Sequence, residues 1–315
     1  MDLNDTPEQA EYRAKARSWI AEHRDEAPVL RGEGAIEDED EAIRAHRVWQ
    51  RKLAEAGYAG VTWPKEYGGQ GLGPLEQVVV NQEINAGGVP GILDSIGVGM
   101  LGPTIIAHGT EEQKQRYLAP MLHADEVWCQ LFSEPAAGSD LAGIQTRAKL
   151  QDDGSWRLSG QKVWTTNAHL CNRAMLIART DPDQPKHRGI TYFGLDLRSP
   201  GVEVRPLRQM TGQAEFSEVY LTDVRVPDAD RIGDVNDGWR VAMTTLSNER
   251  TSIGGGGRAP VRGSGAIAEA LRIWHDLPAE GRTPARRDRL IRLWSDAEAL
   301  RLTNLRAAAM RRSGR

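Results

Sequence analysis

Three short segments hold most of the residues that could do chemistry. The first is Trp128-Cys129-Gln130-Leu131-Phe132-Ser133-Glu134-Pro135-Ala136-Ala137-Gly138-Ser139-Asp140. An apolar run gives way to small and polar residues, so a strand is expected to end in a loop here. Backbone N–H groups of such a loop, with the Ser133 and Ser139 hydroxyls, can bind an anion or the edge of a heterocycle. A plain strand-to-turn connection uses the same residue types. The second segment is Gly160-Gln161-Lys162-Val163-Trp164-Thr165-Thr166-Asn167. Trp164 offers a flat face and Thr166 a hydroxyl, which suits stacking on an aromatic cofactor and bonding its edge. A core tryptophan on a barrel strand has the same pattern. The third is Leu246-Ser247-Asn248-Glu249-Arg250-Thr251, inside an apolar-patterned stretch. A carboxylate drawn into an apolar pocket becomes a competent general base, here beside a cation. A solvated Glu–Arg pair is the alternative.

Other chemistries find no support. The seven histidines lack metal-ligand spacing. There is no Walker loop, no GxSxG elbow and no GxGxxG after a strand. Gly254–Gly257 reads as a flexible or closely packed helix break.

The elements that must position these segments follow from capping and periodicity. Thr6-Pro7-Glu8-Gln9 and Thr110-Glu111-Glu112-Gln113 are capping-box starts. Further helices are expected over 38–56 and 75–86, separated by a loop rich in glycine around Pro64–Gly73. From about Glu126 the texture changes to short alternating runs. Strands are expected at 146–151, 156–159, 163–166, 174–179, 191–197, 202–207 and 219–226, with a hairpin turn at Asp152–Ser155. Even spacing of short strands suggests a barrel or sandwich. Helices return at 239–252 and 286–311. The second carries Leu290, Leu293, Trp294, Ala297 and Leu300 at spacings of three and four, with many arginines on its other face.

The chain has 315 residues, enough for two or three domains with a sizeable core. A net charge of −4 argues against a dedicated nucleic-acid binder. No apolar run reaches the ~18–20 residues of a membrane span. Met1–Asp5 lacks the regions of a secretory signal. Two cysteines, Cys129 and Cys171, cannot make a disulfide framework, so a reduced, cytoplasmic setting is expected.

Taken in order, these segments resemble the acyl-CoA dehydrogenase family over nearly the whole chain. Trp63-Pro64-Lys65-Glu66-Tyr67-Gly68-Gly69-Gln70-Gly71 resembles its N-terminal helical loop, and His108-Gly109-Thr110-Glu111-Glu112-Gln113-Lys114 the helix before its barrel. Ser133-Glu134-Pro135 through Asp140 resembles the family's flavin loop, and Gln161–Asn167 its "QKxWITN" strand. Glu215–Val219 followed by Val226-Pro227 resembles the end of its barrel.

The resemblance implies an α+β fold: an N-terminal α-helical domain (1–125), a central flavin-binding β-barrel (126–232) and an incomplete C-terminal α-helical bundle (233–315). It implies FAD, with Gln130, Phe132, Ser133, Gly138, Ser139, Trp164 and Thr166 around the cofactor. The implied reaction is α,β-dehydrogenation of an acyl-CoA thioester, with hydride passing to flavin N5. Glu249 matches the group whose base precedes an arginine in the first C-terminal helix. Arg250 would orient that helix or contact CoA, and Ser139 would lie by the cofactor or the CoA tail. An electron-transfer flavoprotein is the implied acceptor, and a homo- or hetero-oligomer, dimer or tetramer, the implied assembly.

Three departures stand out: Ser133 for the usual threonine, Ala136 for a loop glycine, and an end at Arg315 where the family continues. A truncated chain is expected, leaving Leu290, Leu293 and Trp294 in need of partners. The family's FAD-contacting segment after Gly257 is not recognisable. That departure, with Leu300–Asn304, resembles actinobacterial members, some acting on steroid side-chain thioesters as two-subunit tetramers. A non-catalytic partner subunit of a heteromeric enzyme is therefore the alternative function.

Overall fold

The computed structural model describes residues 5–30, 32–253 and 262–312. The glycine run 254–257 lies outside them. Helix α1 (Pro7–His23) starts as expected: Thr6 Oγ1 accepts from Gln9 N, Gln9 reaches back to Thr6 N, and Pro7 occupies the first turn. Helices α2 (Glu39–Glu55), α3 (Pro74–Gly87), α4 (Gly102–His108) and α5 (Glu111–Leu122) complete the first helical layer. A π-helical turn, Gly97–Leu101, leads into α4. Ala16, Ile20, Trp49, Leu53, Val80, Ile84, Tyr117 and Leu118 bury their apolar faces together. Glu83, only 4% exposed, is held by Arg13 at 2.9 Å and Arg17 at 2.8 Å.

The middle of the chain forms one sheet. Its strands are β1 (Trp128–Leu131), β2 (Arg147–Leu150), β3 (Trp156–Thr166), β4 (Arg173–Arg179), β5 (Ile190–Asp196), β6 (Val202–Leu207), β7 (Phe216–Val226) and β8 (Arg231–Ile232). The order is β6-β7-β3-β2-β4-β5-β8, with β1 parallel to β4. The barrel expected from the strand spacing is thus an eight-stranded sheet left open between β6 and β8. Two expected strands, 156–159 and 163–166, are one continuous β3. Gly160 lets β3 continue, because a Cβ there would meet the Thr146 Cα at 2.7 Å.

Strand β4 shows how the sheet joins the helices. Ala174, Leu176 and Ala178 pack into one cluster with Leu158, Phe193 and Val219. Met175 and Ile177 face the other way, into the core shared with the N-terminal helices and with Val241 and Ala242. Those last two belong to α6 (Gly238–Ile253). Helices α7 (Ala266–Asp276) and α8 (Pro284–Arg312) pack on each other, and α8 touches α3. On α8, Trp294 is half-buried under the Arg262 guanidinium, while Ile291, Leu293 and Leu300 are exposed. No helix of the described residues is long and apolar enough to cross a membrane.

Candidate active site

Helix α6 is seated against β5 at its first residue. A Cβ on Gly238 would meet the Thr191 carbonyl carbon at 2.5 Å, so only glycine permits this approach. Two turns on, Thr245 is fully buried. Its hydroxyl meets Thr104 at 3.0 Å and Tyr192 at 3.1 Å, joining α6 to α4 and β5. One turn further lies Glu249, half-buried, which accepts from Gln130 Nε2 at 3.4 Å. Helix and β1 therefore meet at the two residues assigned to base and cofactor contact from sequence. Arg250 is exposed.

The loop after β1 is built on β3. Phe132 is buried edge-on against Tyr192, with ring centroids 5.8 Å apart. The Ser133 carbonyl accepts from Val163 N at 2.9 Å. Glu134 and Ala137 exchange backbone hydrogen bonds of 2.9 and 3.0 Å, closing a tight turn. Gly138 and Ser139 are exposed beyond it, and Asp140 pairs with Lys186 at 2.8 Å.

Opposite this loop, β3 bulges between Lys162 and Thr165. Trp164 sits in the bulge at φ 58°, a conformation costly for a bulky residue. The bulge turns its ring out of the core. Trp164 is 63% exposed, edge-on to Phe216 at 6.0 Å. It is not the core tryptophan that a barrel strand would otherwise suggest. Thr166 is exposed at the strand end. Among the described residues the Ser133, Ser139 and Thr166 hydroxyls have no protein partner. An open indole face, with the free Thr166 hydroxyl two residues further along β3, fits a flat heteroaromatic group with a polar edge.

Beneath the loop lies a feature for which the sequence reading gave no role. Lys162 is fully buried and bonded to Glu134 Oε1 at 2.8 Å. Burial pushes the ammonium down to about 8, against the pull of Glu134. Burial alone would raise the Glu134 carboxyl, but Lys162 and the Gln145 amide hold it below its ordinary range. On α6, Asn248 Nδ2 is a buried donor with no partner among the described residues, beside Glu249 in the chain. Lys162 does carry a signal in sequence, as the lysine of the Gln161–Asn167 segment and in phase with buried Trp156 and Leu158, but a lysine there is not expected to be buried; Asn248 reads as an ordinary helix-surface residue.

The structure thus gathers Gln130 with Glu249, and Phe132 and Ser133 with the β3 bulge that carries Trp164 and Thr166. No hydrogen bond joins Ser139 or Arg250 to this set among the described residues. Nor does any group of three His, Cys, Asp or Glu there suit a metal ion.

Comparison with known proteins places this geometry in a family. Residues 6–125, 129–224 and 236–315 match the N-terminal, middle and C-terminal domains of acyl-CoA dehydrogenase. Acyl-CoA dehydrogenase IpdE1 of Mycobacterium tuberculosis is 40% identical over 294 residues, covering 92% of this chain and 75% of the relative. Acyl-CoA dehydrogenase FadE34 of the same organism is 44% identical over 262 residues, 83% of this chain but 35% of the relative. The chain therefore spans about a third of one relative and three quarters of the other. Among solved structures, the ChsE4-ChsE5 complex from M. tuberculosis superposes with a TM-score of 0.78 at 30% identity, over 99% of this chain and 78% of that one. The chain belongs to the acyl-CoA dehydrogenase family.

Proposed function

We propose that the protein catalyses FAD-dependent α,β-dehydrogenation of an acyl-CoA thioester to the trans-2-enoyl-CoA. The observation that carries this reading is the meeting of Glu249 with Gln130 at 3.4 Å, late helix against flavin-loop strand. Bound FAD would supply the hydride acceptor at N5. The chain's own residues supply the rest. Glu249 takes the α-proton: among the described residues one long hydrogen bond is all that holds its carboxylate, which leaves it able to accept a proton. Gln130, Phe132, Ser133, Gly138 and Ser139 form the loop side of the cofactor site. Trp164 and Thr166 form its other wall, by stacking and a hydroxyl contact. Ser139 and Arg250, both exposed, are assigned to the CoA portion. The three matched stretches support domains at 1–125, 126–232 and 233–315. An electron-transfer flavoprotein is the proposed acceptor, in the cytoplasm.

The test is a visible spectrum of the purified protein before and after anaerobic addition of an acyl-CoA panel. A flavin band that bleaches, and stops bleaching in Glu249→Gln, supports the reading. Bleaching retained in Glu249→Gln rejects the base. Similarity to one chain of a ChsE4-ChsE5 complex favours a second reading, a partner subunit completing another chain's site. A colourless protein that co-purifies with a homologous chain would select it.

A further inference from the structure

The Ser133–Asp140 loop can exist only because β1 stops early along β4. Strand β1 pairs with β4 over residues 173–176, and β2 joins β4 only at Arg179. Between them β4 lacks a neighbour on that edge, and buried backbone groups there need partners. Lys162 reaches into this gap from β3. Its ammonium donates to the Ile177 carbonyl at 2.9 Å, the Phe132 carbonyl at 3.1 Å and Glu134 Oε1 at 2.8 Å. Three N–H groups meet three acceptors, on β4, at the start of the loop and within it. Glu134 then closes the far end. It accepts from Gln145 N at 2.6 Å and Thr146 N at 3.0 Å, where the chain re-enters the sheet as β2.

We infer that Lys162 and Glu134 are positioning residues for FAD: a buried ion pair that staples both ends of the flavin loop and fixes it against the Trp164 bulge. The inference rests on the cofactor assignment in the proposed function. The geometry links the pair directly to that site. Lys162 lies two residues before Trp164, and Phe132, whose carbonyl it holds, precedes Ser133. The intervening Val163 N–H binds the Ser133 carbonyl at 2.9 Å. Loosening the pair would let the two walls of the cofactor site move relative to one another.

The test uses three variants of the full chain: Lys162→Met, the double variant Lys162→Met/Glu134→Gln, and Glu83→Gln. The double variant removes the staple without stranding a buried charge, so it should lose less stability than Lys162→Met, although both leave the Ile177 and Phe132 carbonyls without their donor. Glu83→Gln breaks a comparable buried cluster with Arg13 and Arg17, distant in sequence from the loop. Apoprotein of each is titrated with FAD by flavin fluorescence, and amide exchange is read at Val163, Gln145 and Thr146 without cofactor. In the double variant the FAD dissociation constant should rise at least about tenfold, the equivalent of one charge-assisted hydrogen bond. Exchange at those three amides should quicken while the rest of β3 stays protected. Glu83→Gln should leave FAD affinity within about twofold of the parent, about a third of a tenfold step on the energy scale and the scatter expected for a distant site. An FAD affinity unchanged in the double variant overturns the inference, as does an equal loss in Glu83→Gln. A parent protein that binds no FAD also overturns it. If FAD binds but no acyl-CoA ever bleaches it, the dehydrogenase reading fails while the staple stands on its affinity and exchange results.

Discussion

Two carboxylates of the site differ in how they are held. Glu134 is buried and takes three donors: Lys162, Gln145 N and Thr146 N. Glu249 is half-buried and, among the described residues, takes one, Gln130, at a distance near the limit of a hydrogen bond. A buried carboxylate that already holds three donors, one of them a cation, is poorly placed to accept a substrate proton. A lightly held one is not. Donor count, more than residue type, separates a structural glutamate from a candidate base.

The largest effect should come from testing that division directly. Glu249→Gln is expected to slow substrate-dependent flavin bleaching by about a thousandfold, within the range for loss of a general base, while leaving urea stability nearly unchanged. Glu134→Ala should do the reverse. It leaves the Lys162 ammonium buried without a counter-charge, and breaking such a pair costs about 3–5 kcal/mol. Equilibrium urea unfolding of both variants, beside stopped-flow bleaching, places each residue on its side of the comparison. If Glu249→Gln were the less stable of the two, the division would collapse.

Asp94 gives a third case that sharpens the comparison. It is fully buried; Oδ1 accepts from Gly97 N at 2.8 Å, and Oδ2 has no hydrogen-bond partner among the described residues. Burial pushes its carboxyl up to about 8, against the Gly97 amide. With no ion pair among the described residues, and with burial outweighing the Gly97 and Trp128 amides and the pull of Arg47, the buried acid stays protonated where Glu134 stays ionised. The folded state then holds a proton that the unfolded chain releases above its ordinary value near 3.8. The stability tied to that proton is fully present below about pH 4 and is lost as pH rises through about 8. Asp94→Asn removes the titration. Its stability relative to the parent should therefore climb by a few kcal/mol between pH 4 and pH 8. A parallel pair of urea-stability profiles over that range would mean Asp94 is ionised in the folded protein.

Much of this architecture is legible in the sequence, because caps and periodicity are local. Thr6 and Thr110 cap where their hydroxyls and the following glutamines say they should. Helix α6 and the segment order were readable for the same reason. The candidate site residues stand out in the sequence as types in a loop, a strand and a helix. What could not be read is how they are held. Trp164 on a regular strand would be core; a bulge at Lys162–Thr165 turns it outward. Lys162 looks like a surface lysine until β1 ends short of Ile177 and opens a gap for it. Both depend on pairing between strands far apart in sequence, which no window of residues contains. The open sheet has the same origin: spacing counts strands but says nothing of whether the first and last meet.

The smallest effect tests whether donor counting also governs the neutral groups that seat α6. Tyr192 OH meets Thr245 Oγ1 at 3.1 Å, and Thr104 Oγ1 gives its proton to the Met100 carbonyl at 2.8 Å while meeting Thr245 at 3.0 Å. Thr245→Val keeps the shape and removes the hydroxyl. The Tyr192 hydroxyl is then buried with no acceptor from α6, a cost of about 1–3 kcal/mol. Tyr192→Phe alone leaves the Thr245 proton an acceptor, Thr104 Oγ1 or the Val241 carbonyl, so it should cost less. With both changes, neither side has an unmet group, and stability should recover most of what Thr245→Val lost. Double-mutant urea unfolding reads this as a coupling energy of about 1 kcal/mol. Additive losses would show that the two hydroxyls do not depend on one another. The buried contacts of Val241 and Ala242 would then seat α6 without them.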